Sequence, residues 1–135
     1  MDNKEDEKVV IMNDNNRVST NDLLSMEPML LAEYLQARFS LMVPFSLATP
    51  EDLRCASEIL SSAANSYSFL SNMRIMARVQ KRALKRKKES AEKIEDMLAR
   101  EELFENQAAV VRQVYEATSR MVTVKQQIDQ EMKML

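Results

Sequence analysis

Residues 50–98, PEDLRCASEILSSAANSYSFLSNMRIMARVQKRALKRKKESAEKIEDML, decide the fold. An apolar residue recurs there at every seventh position: Ala56, Ala63, Leu70, Ala77, Leu84, Ala91 and Leu98. A repeat of seven holds one stripe of an α-helix against a neighbour, so the stretch reads as a heptad seam. Its companion positions are less regular, with Ile59 or Leu60, Tyr67 and Met73, then polar Gln80 and Lys87, then Ile94. The helix has a clear start: Thr49 is suited to cap it, Pro50 fits the first helical position, and Glu51 and Asp52 favour the positive end of the helix dipole.

Downstream, Leu103, Val110, Val114, Ala117, Met121, Val124, Ile128, Met132 and Leu135 alternate largely in steps of three and four and predict a long amphipathic C-terminal helix. Val110 lies twelve residues beyond Leu98, which no heptad step reproduces, so a turn or register break must separate the two seams. With no glycine in the chain, two positions stay open for it, residues 87–90 and residues 100–104. Upstream, Leu30, Leu31, Tyr34, Leu35, Ala37 and Phe39 follow Pro28 at helical spacing and predict a short helix from about Glu27 to Leu41, closed by Pro44. Val43 to Ala48 is then a linker whose apolar residues should pack down on the helices.

Residues 1–21 are polar and Asn-rich and read as a flexible tail, because they have too little to bury to offset the entropy of ordering. The patch Lys8 to Met12 is its one segment suited to docking on a partner. Residues 22–135 form a single helical domain. The expected fold class is all-α: a long antiparallel helical hairpin or coiled coil with a short N-terminal helix and a flexible N-terminal tail.

Composition supports this and excludes much else. The 135 residues are 45% apolar, enough for one modest core. They include no glycine, histidine or tryptophan and three prolines, which argues against β architectures with tight turns. No apolar run approaches the roughly 18 residues that span a bilayer, and the first residues are acidic, so a cytoplasmic protein is expected. Cys55 has no partner for an internal disulfide and reads as a small buried hydrophobe. Met73, Met76, Met97, Met121, Met132 and Met134 occupy interior-like positions and read as core filling, and Tyr115 as a packing residue with its hydroxyl at the surface.

Catalysis finds little support. There is no histidine for general-base or metal work, no second cysteine for zinc and no glycine for a phosphate loop. Adjacent carboxylates such as Glu95 and Asp96 point in different directions on a helix. The expectation is a protein that is not an enzyme, with no cofactor and no metal.

Charge is the sharpest functional signal. Residues 1–58 carry 5 basic and 11 acidic groups, residues 59–88 carry 8 and none, and residues 89–135 carry 6 and 10. Eight cations over about four turns, Arg74, Arg78, Lys81, Arg82, Lys85, Arg86, Lys87 and Lys88, suit a phosphate backbone. Steps of three and four put Arg74, Arg78, Lys81, Arg82, Lys85 and Lys88 on one broad face, and Tyr67 and Phe69 upstream are placed to stack on unpaired bases. The candidate nucleic-acid-binding residues are Arg74, Arg78, Lys81, Arg82, Lys85, Arg86 and Lys88, with single-stranded DNA as the partner.

A second reading stands beside this one. If the chain folds back near Glu89, Lys85 comes near Lys93 or Asp96, and Arg78 near Glu101 or Glu102, giving a salt-bridged hairpin or self-association surface. The seam residues Leu70, Ala77, Leu84, Val110, Val114, Met121 and Ile128 likewise serve either an oligomer or a monomer core. A helix continuous from Pro50 to Leu98 would be about 75 Å long, more than one short helix covers, which favours a homo-oligomer.

The stretch from Ala63-Ala64-Asn65 through Tyr67, Phe69, Leu70 and Asn72 into Lys81-Arg82-Ala83-Leu84-Lys85-Arg86 resembles the central helix of UvsY-like recombination mediators of tailed phages. Phe104, Val111 to Ala117, Ser119-Arg120 and Ile128 resemble that family's C-terminal segment, so the similarity spans about residues 56–130. The resemblance implies a ring-forming helical protein that binds single-stranded DNA and helps load a recombinase onto DNA coated by single-strand-binding protein. It carries phosphate contact onto Lys81, Arg82, Lys85 and Arg86 alone. The chain lacks the family's aromatic-rich C-terminal stretch, which leaves the oligomeric state open. The alternatives are a structural or adaptor coiled coil of phage assembly and an inhibitor that binds a host nucleic-acid enzyme.

Overall fold

The computed structural model describes residues 19–39, 47 and 49–135. Among them four helices follow one another: α1 Thr20–Ser25, α2 Pro28–Phe39, α3 Pro50–Arg86 and α4 Ala91–Lys133. No described residue lies in a strand, so the chain is all-α. At about 1.5 Å per residue, α3 and α4 are about 55 and 65 Å long, and they pack on each other as an antiparallel hairpin.

α3 starts where its sequence signal lies. The Asp52 backbone N–H donates to Thr49 Oγ1 at 3.1 Å and the Thr49 N–H donates to Asp52 Oδ2 at 3.1 Å, a reciprocal capping box with Pro50 in the first turn. It ends in a Schellman turn. The Glu89 N–H donates to the Leu84 carbonyl and the Lys88 N–H to the Lys85 carbonyl, both at 3.0 Å, while Lys88 takes a φ of 57°. Ser90 then caps α4, its Oγ accepting from the Lys93 N–H at 3.3 Å. The break therefore falls at residues 87–90; residues 100–104 lie inside α4. Ala91 and Leu98, which continue the count of sevens, come after the turn and are exposed.

The α3 seam is otherwise as its spacing predicts. Ala56, Ala63, Leu70 and Ala77 are fully buried, Met73 nearly so, and Leu84 is half-buried against them. α4 differs from expectation. Its buried sevens are Met97, Phe104, Val111 and Thr118, with Glu101 and Ala108 between them. The packed stripe thus runs one position, about 100°, round the helix from the more apolar one that the sequence singles out. As core residues Val110 and Ile128 are corrected, since they leave 45% and 51% of their surfaces open; Val114 and Met121 are half-buried. Periodicity misses the true seam because that seam spends positions on Glu101 and Thr118. The ion pairs to Glu101 fix the hairpin register, which sets Ala77 level with Phe104, Leu70 with Val111 and Ala63 with Thr118. Small Ala77 and Ala63 thereby make room for the larger Phe104 and Thr118. The Thr118 hydroxyl is buried there without a hydrogen-bond partner among the described residues.

The N-terminal helices lie against the hairpin. Ser19 caps α1 by accepting from the Asp22 N–H at 3.1 Å, and Leu23 and Leu24 are buried. Residues 19–21, which composition assigns to the tail, therefore belong to this cap and helix. α2 buries Leu31, Tyr34, Leu35 and Phe39 and ends at Phe39. Arg100 anchors the α1–α2 turn: its Nε donates to the Met26 carbonyl at 2.9 Å and its Nη1 to the Asp96 carbonyl at 2.8 Å. The expectations for residues 1–18, for Leu41 and for the linker around Pro44 fall outside the described residues, apart from half-buried Leu47. Cys55 is exposed, correcting its reading as a buried hydrophobe. Of the methionines read as core filling, Met73 and Met97 are buried, while Met76, Met132 and Met134 are exposed. Among the described residues no helix is long and apolar enough to cross a membrane.

Candidate nucleic-acid interface

The basic half of α3 approaches the acidic first third of α4 because the Schellman turn returns the chain at Lys88. Glu101 is the meeting point. Arg78 Nε donates to Glu101 Oε2 at 3.1 Å and Lys81 Nζ donates to Oε1 at 2.8 Å. Only 8% of Glu101 is exposed. The hydrogen bond from Lys81 lowers the carboxyl's pKa below its ordinary value; burial opposes this, and the hydrogen bond from Arg78 adds to it. Arg78 and Lys81 are thus held in the hairpin, as the fold-back reading anticipates for Arg78. That reading also places Lys85 near Lys93 or Asp96; the hairpin register does set Lys85 level with Asp96, but the two form no ion pair among the described residues, and Lys93 pairs with Glu89 at 3.2 Å.

The remaining cations divide into two sites. Arg82, Lys85, Arg86, Lys87 and Lys88 are all exposed and none has a carboxylate at ion-pair distance among the described residues. Arg82 lies one turn before the end of α3, Lys85 and Arg86 in its last turn, and Lys87 and Lys88 in the connection, so they form a cationic tip to the hairpin. Arg74 is separated from it by about 12 Å or more along the helix. It is half-buried in a cleft on the hairpin flank with Tyr67, Glu105, Arg112 and Glu116. Arg112 Nε pairs with Glu116 at 3.1 Å, and the carboxylates in this cleft oppose a phosphate.

The two candidate stacking residues also part company. Phe69 is half-buried against Phe39, with ring centroids 6.0 Å apart and planes inclined by 34°, so it packs α2 onto α3 and is not free for a base. Tyr67 keeps 39% of its surface open in the flank cleft. Of the seven candidate residues, the structure groups Arg82, Lys85, Arg86 and Lys88 at the tip, adds Lys87, commits Arg78 and Lys81 to Glu101, and leaves Arg74 apart. The role of Arg100 as an anchor is not legible in sequence, because an arginine in an acidic helix reads as solvated. Among the described residues no group of acids and cysteine is arranged to hold a metal.

No protein-family model matches this chain, and no curated protein or solved structure matches it. The functional reading accordingly rests on the site.

Proposed function

We propose that the chain is a single-stranded DNA-binding accessory protein that acts without turnover, self-associates, and supports recombination or replication by the loading of a recombinase onto DNA covered by single-strand-binding protein. The observation that carries the reading is the tip: five exposed cations that have no acidic partner among the described residues, clustered at the end of α3 and in the connection that follows it. Such a cluster attracts phosphates at any base sequence, so the binding is non-specific and salt-dependent. The similarity of Lys81 to Arg86 to the central helix of UvsY-like phage mediators supports the choice of a single strand and a phage setting, with action in the host cytoplasm. The test uses a fluorescent single-stranded oligonucleotide and the variant Arg82→Glu/Lys85→Glu/Arg86→Glu, which spares the Glu101 bridges. Wild type should bind with an affinity that falls as salt rises, and the variant should lose binding at least tenfold while staying helical. Equal affinities would sink the DNA reading.

A structural or adaptor role is the second reading, and the engagement of Glu101 favours it. Cations that end α3 and acids such as Glu92 that begin α4 also suit the two helix dipoles.

A further inference from the structure

The open side of α3 joins apolar residues to the cations of the tip. Ile75, Val79, Arg82 and Arg86 follow steps of four, three and four, and Met76 lies beside them, so the five share one stripe of the helix. Ile75, Met76 and Val79 leave 47%, 40% and 55% of their surfaces open, and Arg82 and Arg86 are exposed. An apolar patch that runs into cations fits a segment that carries apolar residues and acids side by side. The chain holds such a segment close to the tip. Asp2, Glu5, Asp6 and Glu7, set against Lys4 and Lys8, lead directly into Val9, Val10, Ile11 and Met12. These residues lie outside the described ones, but the place where they join the fold is described. Ser19 caps α1, and Asn21 in its first turn lines a cleft with Gln80, Leu84 and Lys93 at the foot of the tip.

We propose that residues 2–12 dock on this stripe of their own chain, with Val9 to Met12 against Ile75, Met76 and Val79 and the acids against Arg82, Arg86 and neighbouring Lys85. The order and spacing of the two features agree. On α3 the apolar and cationic groups are centred about 12 Å apart, and the five or so residues between the corresponding centres of the segment span up to about 17 Å. Reach agrees as well. Ser19 comes seven residues after Met12, a stretch of at most about 24 Å, while Val79 lies only about 8 Å along α3 from Leu84. Tethering selects this occupant over a second copy, because a short linker holds the segment at an effective concentration on the order of millimolar, well above that of a micromolar protein. The docked acids screen Arg82, Lys85 and Arg86 from phosphate, so a strand has to engage several cations at once to displace them.

The contact itself is independent of the proposed function; only its competition with DNA rests on that reading. The test is paramagnetic broadening of amide NMR signals in the full chain, with a nitroxide on Asn3→Cys in a Cys55→Ser background. Signals of Ile75, Val79, Lys85 and Arg86 should broaden, and those of Lys125 to Lys133, at the far end of α4, should not. The broadening at Ile75 and Val79 should be lost in Glu5→Gln/Asp6→Asn/Glu7→Gln and in Arg82→Glu/Lys85→Glu/Arg86→Glu, and the broadening at Lys85 should weaken in Ile75→Ser/Val79→Ser, at exposed positions outside the core. Broadening that is absent from the wild-type segment, or that survives these changes, overturns the proposal. So does broadening of an isotope-enriched copy by a nitroxide-bearing copy mixed with it, which would assign the segment to a second chain. Competition is read separately, on a fluorescent single-stranded oligonucleotide. Glu5→Gln/Asp6→Asn/Glu7→Gln should bind about three- to tenfold more tightly than wild type at about 50 mM salt, and the gap should close towards about 200 mM. Equal affinities overturn the competition, and no binding by either protein sinks the DNA reading and the competition together while the broadening still decides the contact.

Discussion

Lys88 turns the chain with a φ of 57°, a left-handed conformation that a side chain with a Cβ adopts at a cost of about 1–2 kcal/mol. Glycine is the usual residue at this place in a Schellman turn, and the sequence has none. Lys88→Gly should therefore stabilise the hairpin by about 1 kcal/mol in urea denaturation. No gain, or a loss, would mean that the lysine side chain contributes something to the turn that its backbone does not reveal. Glu101 makes the opposite kind of contribution. Its folded pKa is depressed, so the stability it adds is fully present above the ordinary carboxylate range of about 4.3 and is lost as pH falls through the lower folded value. Glu101→Gln should cost about 2 kcal/mol at neutral pH. The gap to wild type should narrow steadily below about pH 4, and a gap that does not change with pH would contradict the assignment.

At the scale of the helices, α4 has two stripes and the hairpin uses the less apolar one. Phe104→Ala should cost about 3–5 kcal/mol because it opens a cavity beside Ala77, while Val110→Ala should cost about 0.5 kcal/mol or less in dilute denaturation. Comparable losses at both positions would restore the stripe read from sequence. What was legible follows from local physics: the sevens through Ala77, the Thr49–Asp52 cap, and Pro28 at the start of α2 each report a constraint within one helix. The phase of α4 was not legible, because Glu101 earns a buried place only through Arg78 and Lys81 on another element. α1 was missed for a related reason, since Leu23 and Leu24 gain their burial from the hairpin they cover. The same limit applies to the site. A run of cations can be counted in sequence, but which of them meet a carboxylate depends on where the chain turns, and a turn without glycine leaves little trace.

At the scale of the whole molecule, the hairpin separates its tasks along its length. α1 and α2 brace the hairpin near Arg100, the Glu101 bridges lock its register, the tip exposes positive charge, and α3 exposes an apolar patch just before the tip. The net charge of −2 conceals this arrangement, so bulk charge gives no guide to what the tip binds. The most direct test of the central claim is the salt dependence of wild-type binding to a single-stranded oligonucleotide. With three to five phosphates engaged by the tip, the logarithm of the association constant should fall against the logarithm of salt with a slope between about −2 and −3.5, a loss of about 20- to 100-fold from about 50 to 200 mM. A slope near zero, or no binding at the lower salt, would contradict the account and leave the cationic tip to a protein partner.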